Sequence, residues 1–133
     1  MSLSEEFLRD PAAKGIRIVV YGSLKRGGKL HGHMQGSRFL GTTTFPGQLF
    51  SLGSYPAARP AEEPEDLIHG EVYECSDALV ELLDRIEGHP WMYKRSPIQT
   101  AHFGQVQAYI YQRRPSSLER RIASGVYNVE DWK

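Results

Sequence analysis

Only one segment of the chain repeats apolar residues at a helical period. From Ser76 to Gly88, Leu79, Leu82, Leu83 and Ile86 fall on one face, with Ser76 placed to cap the start and Gly88 to end the helix. Around it lie short extended runs broken by 13 glycines and 8 prolines, which leave little room for a second long helix. A doubly wound nucleotide-binding sheet needs helices alternating with strands throughout, so that architecture is disfavoured. Short strands joined by tight turns, with one helix inserted late, predict an α+β fold: a small mixed or antiparallel β-barrel with flanking helices.

The strands can be set out in order. Ile16 to Val20 is a buried run, and Arg38 to Phe45 and Gln48 to Leu52 flank the break at Pro46-Gly47. Ala57 to Arg59 is a brief extended piece after the turn Gly53-Ser54-Tyr55-Pro56, and Pro60 to Asp66, with two prolines and four acids, reads as a solvated loop. Leu67 to Cys75 follows, with Ile68, Gly70, Val72 and Tyr73 as its interior set. After the helix come Tyr93 to Thr100 and Gln105 to Arg113, the second alternating Val106, Ala108 and Ile110 with Gln107, Tyr109 and Tyr111. Leu30 to Gln35 predicts a turn or two of helix and Ser117 to Ala123 another short one. The expected organisation is a single domain over 1–133, with 1–15 as an appendage and 116–133 as a tail.

Sixteen basic and sixteen acidic residues cancel, so no global field draws in nucleic acid or an anionic membrane. The single Cys75 has no partner for a disulfide or a thiolate zinc site. The first ten residues carry acids where a secretory signal would be basic, and no apolar run is long enough to span a bilayer. These features predict a cytoplasmic protein that binds neither nucleic acid nor membrane; the oligomeric state is left open.

Two places invite chemistry. Tyr21 to Gly28 (Tyr-Gly-Ser-Leu-Lys-Arg-Gly-Gly) follows the first strand, and such a turn can aim successive backbone N–H groups at a small anion, or simply reverse the chain. It is not a phosphate-binding P-loop: Gly22 and Gly27 are correctly spaced, but Gly28 stands in place of the lysine, and Lys29 is followed by Leu30 rather than a hydroxyl. The second place is Glu87. Counting back four and seven residues reaches Leu83 and Val80, so its carboxylate shares an apolar face, and the negative helix end also disfavours its charge. A raised pKa would suit a general base and acid near neutral pH. The alternative is a boundary glutamate reaching water or pairing with Lys94 or Arg95.

Other constellations are thinner. His31, His33, His69, His89 and His102 do not form a metal-binding spacing. A Ser23, His89, Asp84 triad has the residue types without the nucleophile elbow. Acidic neighbours disfavour a reactive Cys75 thiolate. Most of the seven tyrosines are expected in the core or at its rim.

Taken in order, Tyr21 to Gly27, Gly53 to Pro56, His69 to Tyr73 (His-Gly-Glu-Val-Tyr) and Leu83 to Arg95 (Leu-Asp-Arg-Ile-Glu-Gly-His-Pro-Trp-Met-Tyr-Lys-Arg) resemble the gamma-glutamyl cyclotransferase-like family. The resemblance runs from about Ile16 to Tyr111 and is closest to the gamma-glutamylamine cyclotransferase branch. Ser23 stands where that branch often has threonine, and the segment Gly125 to Trp132 is only loosely similar. The resemblance implies a small β-barrel with flanking helices. It also implies a small-molecule γ-glutamyl substrate whose α-carboxylate and α-amino group are held at Tyr21, Gly22, Ser23 and Leu24, with Glu87 as general acid and base. Tyr93 would reach the pocket and Tyr55 line its mouth. The implied reaction closes the γ-glutamyl unit to 5-oxoproline with no metal, cofactor or protein nucleophile. A non-catalytic module holding a small carboxylate or a modified peptide end in the same pocket is the alternative.

Overall fold

The computed structural model describes residues 15–53, 55–113 and 120–128. Among these residues eight strands form two sheets. The larger has the order β2-β5-β1-β7-β6, built from β1 (Ile16–Val20), β2 (Arg38–Pro46), β5 (Leu67–Cys75), β6 (Tyr93–Thr100) and β7 (Gly104–Tyr111). The smaller has the order β4-β3-β8, from β3 (Gln48–Ser51), β4 (Pro56–Arg59) and β8 (Arg120–Arg121). The single α-helix among the described residues, α1 (Asp77–Glu87), joins β5 to β6, and His31–Met34 forms one 3₁₀ turn. The architecture is α+β with a sheet-dominated core, as the spacing of apolar residues predicts.

Helix α1 ends where its caps dictate. The Ser76 hydroxyl accepts the Leu79 N–H at 3.2 Å, and Gly88 takes the left-handed conformation (φ 67) that lets its N–H reach the carbonyls of the last turn. Val80 and Leu83 point at the sheet and are buried. Strand alternation then sorts the core onto two faces. Ile18, Val20, Tyr73, Cys75, Tyr109 and Tyr111 pack under α1. Val19, Tyr21, Val72, Val106 and Ala108 pack on the other side with Phe45, Leu49, Ile68 and Tyr127. Both residue sets of β7 are therefore interior, because the sheet is covered on both faces.

Central strand β1 runs antiparallel to β5 and parallel to β7, where Ile18 pairs with Gln107. Two residues further on, this register brings Tyr109 level with Val20, at the point where the chain leaves β1 for the glycine turn.

Two expectations need correction. The sheets do not close into one barrel. Edge strands β2 and β6 are linked instead through the β6–β7 turn, where Ala101 N–H donates to Thr44 O at 3.0 Å and His102 N–H to Thr43 Oγ1 at 3.1 Å. A register shift between Phe39 and Gly41 interrupts the β2 ladder, and Phe103 lies against Gly41, where a Cβ would meet its ring at 2.8 Å. The other correction concerns the C-terminal segment. Of the short helix expected over 117–123, residues 117–119 lie outside the described residues, and Arg120–Arg121 is a strand on the edge of β3. An open edge recruits whichever backbone can satisfy its hydrogen bonds, and a local helical preference is too weak to compete. The appendage expected over 1–15 lies outside the described residues except for Gly15.

Candidate active site

The turn after β1 folds back on itself. Lys25 N–H donates to Gly22 O at 3.0 Å, Gly28 N–H to Lys25 O at 2.8 Å, and Leu30 N–H to Ser23 O at 3.0 Å. A Cβ on Gly28 would stand 2.1 Å from Ser23 O, so only glycine allows this closure. The turn is also held from outside. Glu71 Oε1 accepts the Arg26 N–H at 2.9 Å, Lys25 Nζ donates to Tyr127 O at 2.8 Å, and the Arg26 guanidinium lies 3.7 Å from the centre of the Phe39 ring. Gly22, Ser23 and Leu24 are buried, yet their backbone N–H groups have no acceptor among the described residues. Successive N–H groups without an acceptor in such a turn are available to a bound anion.

Beside this turn is a cavity of about 440 Å³, lined by Tyr21, Gly22, Ser23, Leu24, Tyr55, Glu87 and Tyr93 among others. All seven residues that the resemblance assigns to a site thus line one cavity. Glu87 reaches it from the last turn of α1. Burial raises its carboxyl from an ordinary 4.5 to about 7, and it has no ion pair among the described residues. The pairing with Arg95 does not occur, because that guanidinium binds Asp84 at 3.0 and 3.2 Å and Gln107 Oε1 at 2.6 Å.

The surrounding tyrosines are walls whose hydroxyls are already engaged. Tyr21 donates to Tyr109 O at 2.5 Å, Tyr93 to Pro56 O at 2.7 Å, and Tyr109 to Asp84 Oδ1 at 2.7 Å. All three are held well above the usual phenol range, by burial first and with the Glu87 charge adding to it, so they are neutral donors. Tyr55, 40% exposed, stands at the mouth with Met92. Gly22 permits a close wall: a Cβ there would meet Pro56 Cγ at 2.5 Å.

Sequence reasoning did not single out Lys29, Leu30, Ile86, Met92 or Tyr109, which also line the cavity. Ile86 and Met92 flank Glu87 closely enough that adjacency could have suggested them. Tyr109 is brought in only by the β1–β7 register, for which one sequence carries no signal. The Ser23, His89, Asp84 triad is not assembled. Asp84 is held by Arg95 and Tyr109, while His89 Nδ1 accepts the Arg95 N–H at 3.0 Å. Those hydrogen bonds, with the neighbouring charges, keep the Asp84 carboxyl below its ordinary range although burial opposes them. Cys75 is buried and its thiol is pushed up to about 12, by burial and then by Glu74, as its acidic neighbours suggest. Among the described residues no three His, Cys, Asp or Glu side chains gather as metal ligands, and no helix is long and apolar enough to cross a membrane.

The profile of the gamma-glutamyl cyclotransferase, AIG2-like family matches residues 18–129. The chain belongs to that family. The match extends past the resemblance read from the motifs and takes in β8 and Tyr127. The gamma-glutamylcyclotransferase family protein YtfP of Escherichia coli is 38% identical over 119 residues, covering 88% of this chain and 96% of YtfP. The gamma-glutamylaminecyclotransferase of Rattus norvegicus is 35% identical over 92 residues, 62% of this chain and 61% of the rat protein. Among solved structures, the Pyrococcus horikoshii protein PH0828 superposes with a TM-score of 0.71 at 29% identity, covering 84% of this chain and 88% of its own. Membership identifies an enzyme of the gamma-glutamyl cyclotransferase class, whose general reaction acts on a small γ-glutamyl molecule.

Proposed function

We propose that the cavity folds a γ-glutamyl compound onto itself and releases 5-oxoproline, with Glu87 as the proton carrier. The observation that supports this most is a carboxyl with a pKa of about 7 and no ion pair among the described residues, lining the same cavity as three N–H groups that have no acceptor among those residues. The N–H groups of Gly22, Ser23 and Leu24 would hold the substrate's α-carboxylate, leaving its α-nitrogen toward Glu87. The ionised Glu87 carboxylate takes one proton from the α-ammonium. The freed amine attacks the γ-carbonyl carbon, forming the new C–N bond of a five-membered ring. The tetrahedral centre then collapses: the old C–N bond breaks as protonated Glu87 returns its proton to the departing nitrogen, and the ring nitrogen sheds the second proton of the former ammonium, which the released amine takes up to leave as an ammonium. Tethering of nucleophile to electrophile supplies much of the rate, so the protein's task is orientation and one proton transfer.

Tyr93 and Tyr21 would contribute their rings as cavity walls, since their hydroxyls are bonded within the fold. Tyr55 would close the mouth. Replacing Glu87 by Gln keeps the shape and removes the base. Glu87→Gln is expected to lower 5-oxoproline release from γ-glutamyl compounds at least about a hundredfold with an unchanged circular dichroism spectrum. Activity within a few-fold of the parent would refute the role of Glu87. Binding of γ-glutamyl compounds by the parent protein with no 5-oxoproline formed would favour a binding module instead.

A further inference from the structure

A second cavity lies at the end of the large sheet away from the glycine turn. Parallel strands β1 and β7 pair at Ile18 and Gln107, and their first residues wall a cavity of about 460 Å³ lined by Ile16, Arg17, Glu74, Pro97, Gln105 and Val106 among others. It shares no described residue with the cavity of Glu87. A row of three charges crosses the strands here: Arg38 on β2 and Arg17 on β1 both stand directly opposite Glu74 on β5. Glu74 is only 6% exposed, a rare degree of burial for a glutamate. Its Oε1 accepts no hydrogen bond among the described residues, and Arg38 Nη2 stands 3.5 Å away, outside hydrogen-bonding geometry. Arg17 is exposed and, despite its register, makes no ion pair with Glu74 or any other described residue.

We propose that this cavity is a second binding site, one that takes a free aliphatic α-amino acid with its ammonium on Glu74 and its carboxylate on Arg17. The proposal stands apart from the γ-glutamyl reading. A carboxylate and a guanidinium that line one cavity without pairing suit a ligand carrying both complementary charges. A simple anion would meet Glu74 as a like charge, and a simple cation would meet Arg17 and Arg38. Directly opposite residues on neighbouring strands have Cβ atoms only about 5 Å apart, so the ligand's two charges must lie close together. An α-amino acid meets that condition and the two ends of a peptide do not. Ile16, Pro97 and Val106 give the aliphatic side chain an apolar wall.

L-Leucine, 4-methylpentanoate and 3-methylbutylamine test this, because the second lacks the ammonium and the third the carboxylate. In a titration of the full chain followed by amide NMR, leucine is expected to shift the N–H signals of Ile16, Arg17 and Gln105 to Gln107 with a Kd of about 1 mM or lower. Each truncated relative should bind at least about tenfold more weakly, since it forfeits one charge-assisted pair. Arg17→Met and Glu74→Gln should each weaken leucine binding at least about fivefold, while Arg17→Lys, which keeps the charge, should weaken it by less than about threefold. Arg17→Met alters an exposed side chain, so it carries the test if Glu74→Gln fails to fold. Release of 5-oxoproline by Arg17→Met should equal that of the parent, which keeps a failure here distinct from a failure of the Glu87 mechanism. Shifts confined to the amides of Gly22 to Leu24, no shifts up to about 10 mM leucine, equal affinity for the three compounds, or an unchanged Kd in Arg17→Met would each overturn the proposal.

Discussion

A carboxyl with a pKa of about 7 in the folded protein and an ordinary value near 4.5 when unfolded works against the fold that holds it. Between those values the native state binds more protons than the unfolded chain, so stability falls as pH rises and levels off above about 7. The full shift corresponds to about 3 kcal/mol, and the water-accessible cavity beside Glu87 reduces this toward about 1 kcal/mol. Gln at this position carries no charge to desolvate. Glu87→Gln is therefore expected to raise the urea unfolding free energy by about 1–3 kcal/mol at pH 8 and to leave it nearly unchanged at pH 4. Equal stability at pH 8 would show that the site does not penalise the charge. The same titration sets the activity profile: kcat/KM of the parent should fall below pH 7 as Glu87 takes up its proton. Little of this lies outside the sequence, because the Glu87, Leu83 and Val80 spacing on a capped helix already points to a desolvated carboxylate. What the spacing leaves open is the counter-ion, and the pairing of Arg95 with Asp84 decides it.

The last turn of α1 depends on a contact made across the molecule. Asp84, three residues before Glu87, accepts from Arg95 and from the Tyr109 hydroxyl, and the Tyr109 carbonyl accepts from Tyr21 at the start of the glycine turn. A chain of hydrogen bonds thus runs from the helix end that carries Glu87 to the turn that faces it. The Asp84 and Arg95 side chains are only about one-fifth exposed, so removing one leaves the other's polar groups poorly satisfied. Asp84→Ala is expected to cost about 2–3 kcal/mol in urea unfolding and to lower kcat more than it raises KM. In a double-mutant cycle with Arg95→Met the coupling should exceed about 1 kcal/mol. Additive losses would mean that the pair is not a unit. Elements of this kind divide cleanly in legibility. The span of α1 and its caps follow from residues within four positions of one another, whereas the Asp84–Tyr109 bond joins residues 25 apart through a strand register.

At the scale of the whole molecule, the long-range pairings were the illegible part. β5 and β6 begin and end where alternation and turn residues predict, but nothing local says that β1 lies parallel to β7, or that a pair of arginines will extend β3. Arg120 and Arg121 are strand residues because an edge needed partners, and Arg121 adds an ion pair to Asp66 at 2.8 Å. The segment that follows is built into the body of the protein. His69 N–H donates to Gly125 O at 2.8 Å, Tyr127 is 2% exposed, and the Tyr127 carbonyl holds Lys25 of the glycine turn. Gly125 makes this docking possible. Its φ is +72, and a Cβ would stand 1.9 Å from Leu67 O, an atom of a central-sheet strand that cannot withdraw cheaply. Gly104 has a similar φ of +64 but open space around it. The two glycines separate conformational strain from collision. Gly104→Ala should cost about 1–2 kcal/mol, the backbone penalty alone. Gly125→Ala should cost at least about 2 kcal/mol more, because the segment must lift from β5 and draw Tyr127 out of the core. Equal losses in urea unfolding would mean that the C-terminal segment is not packed as described. With the larger loss, Lys25 would be freed from Tyr127 and KM for γ-glutamyl substrates should rise, because the turn that holds them is anchored through that bond.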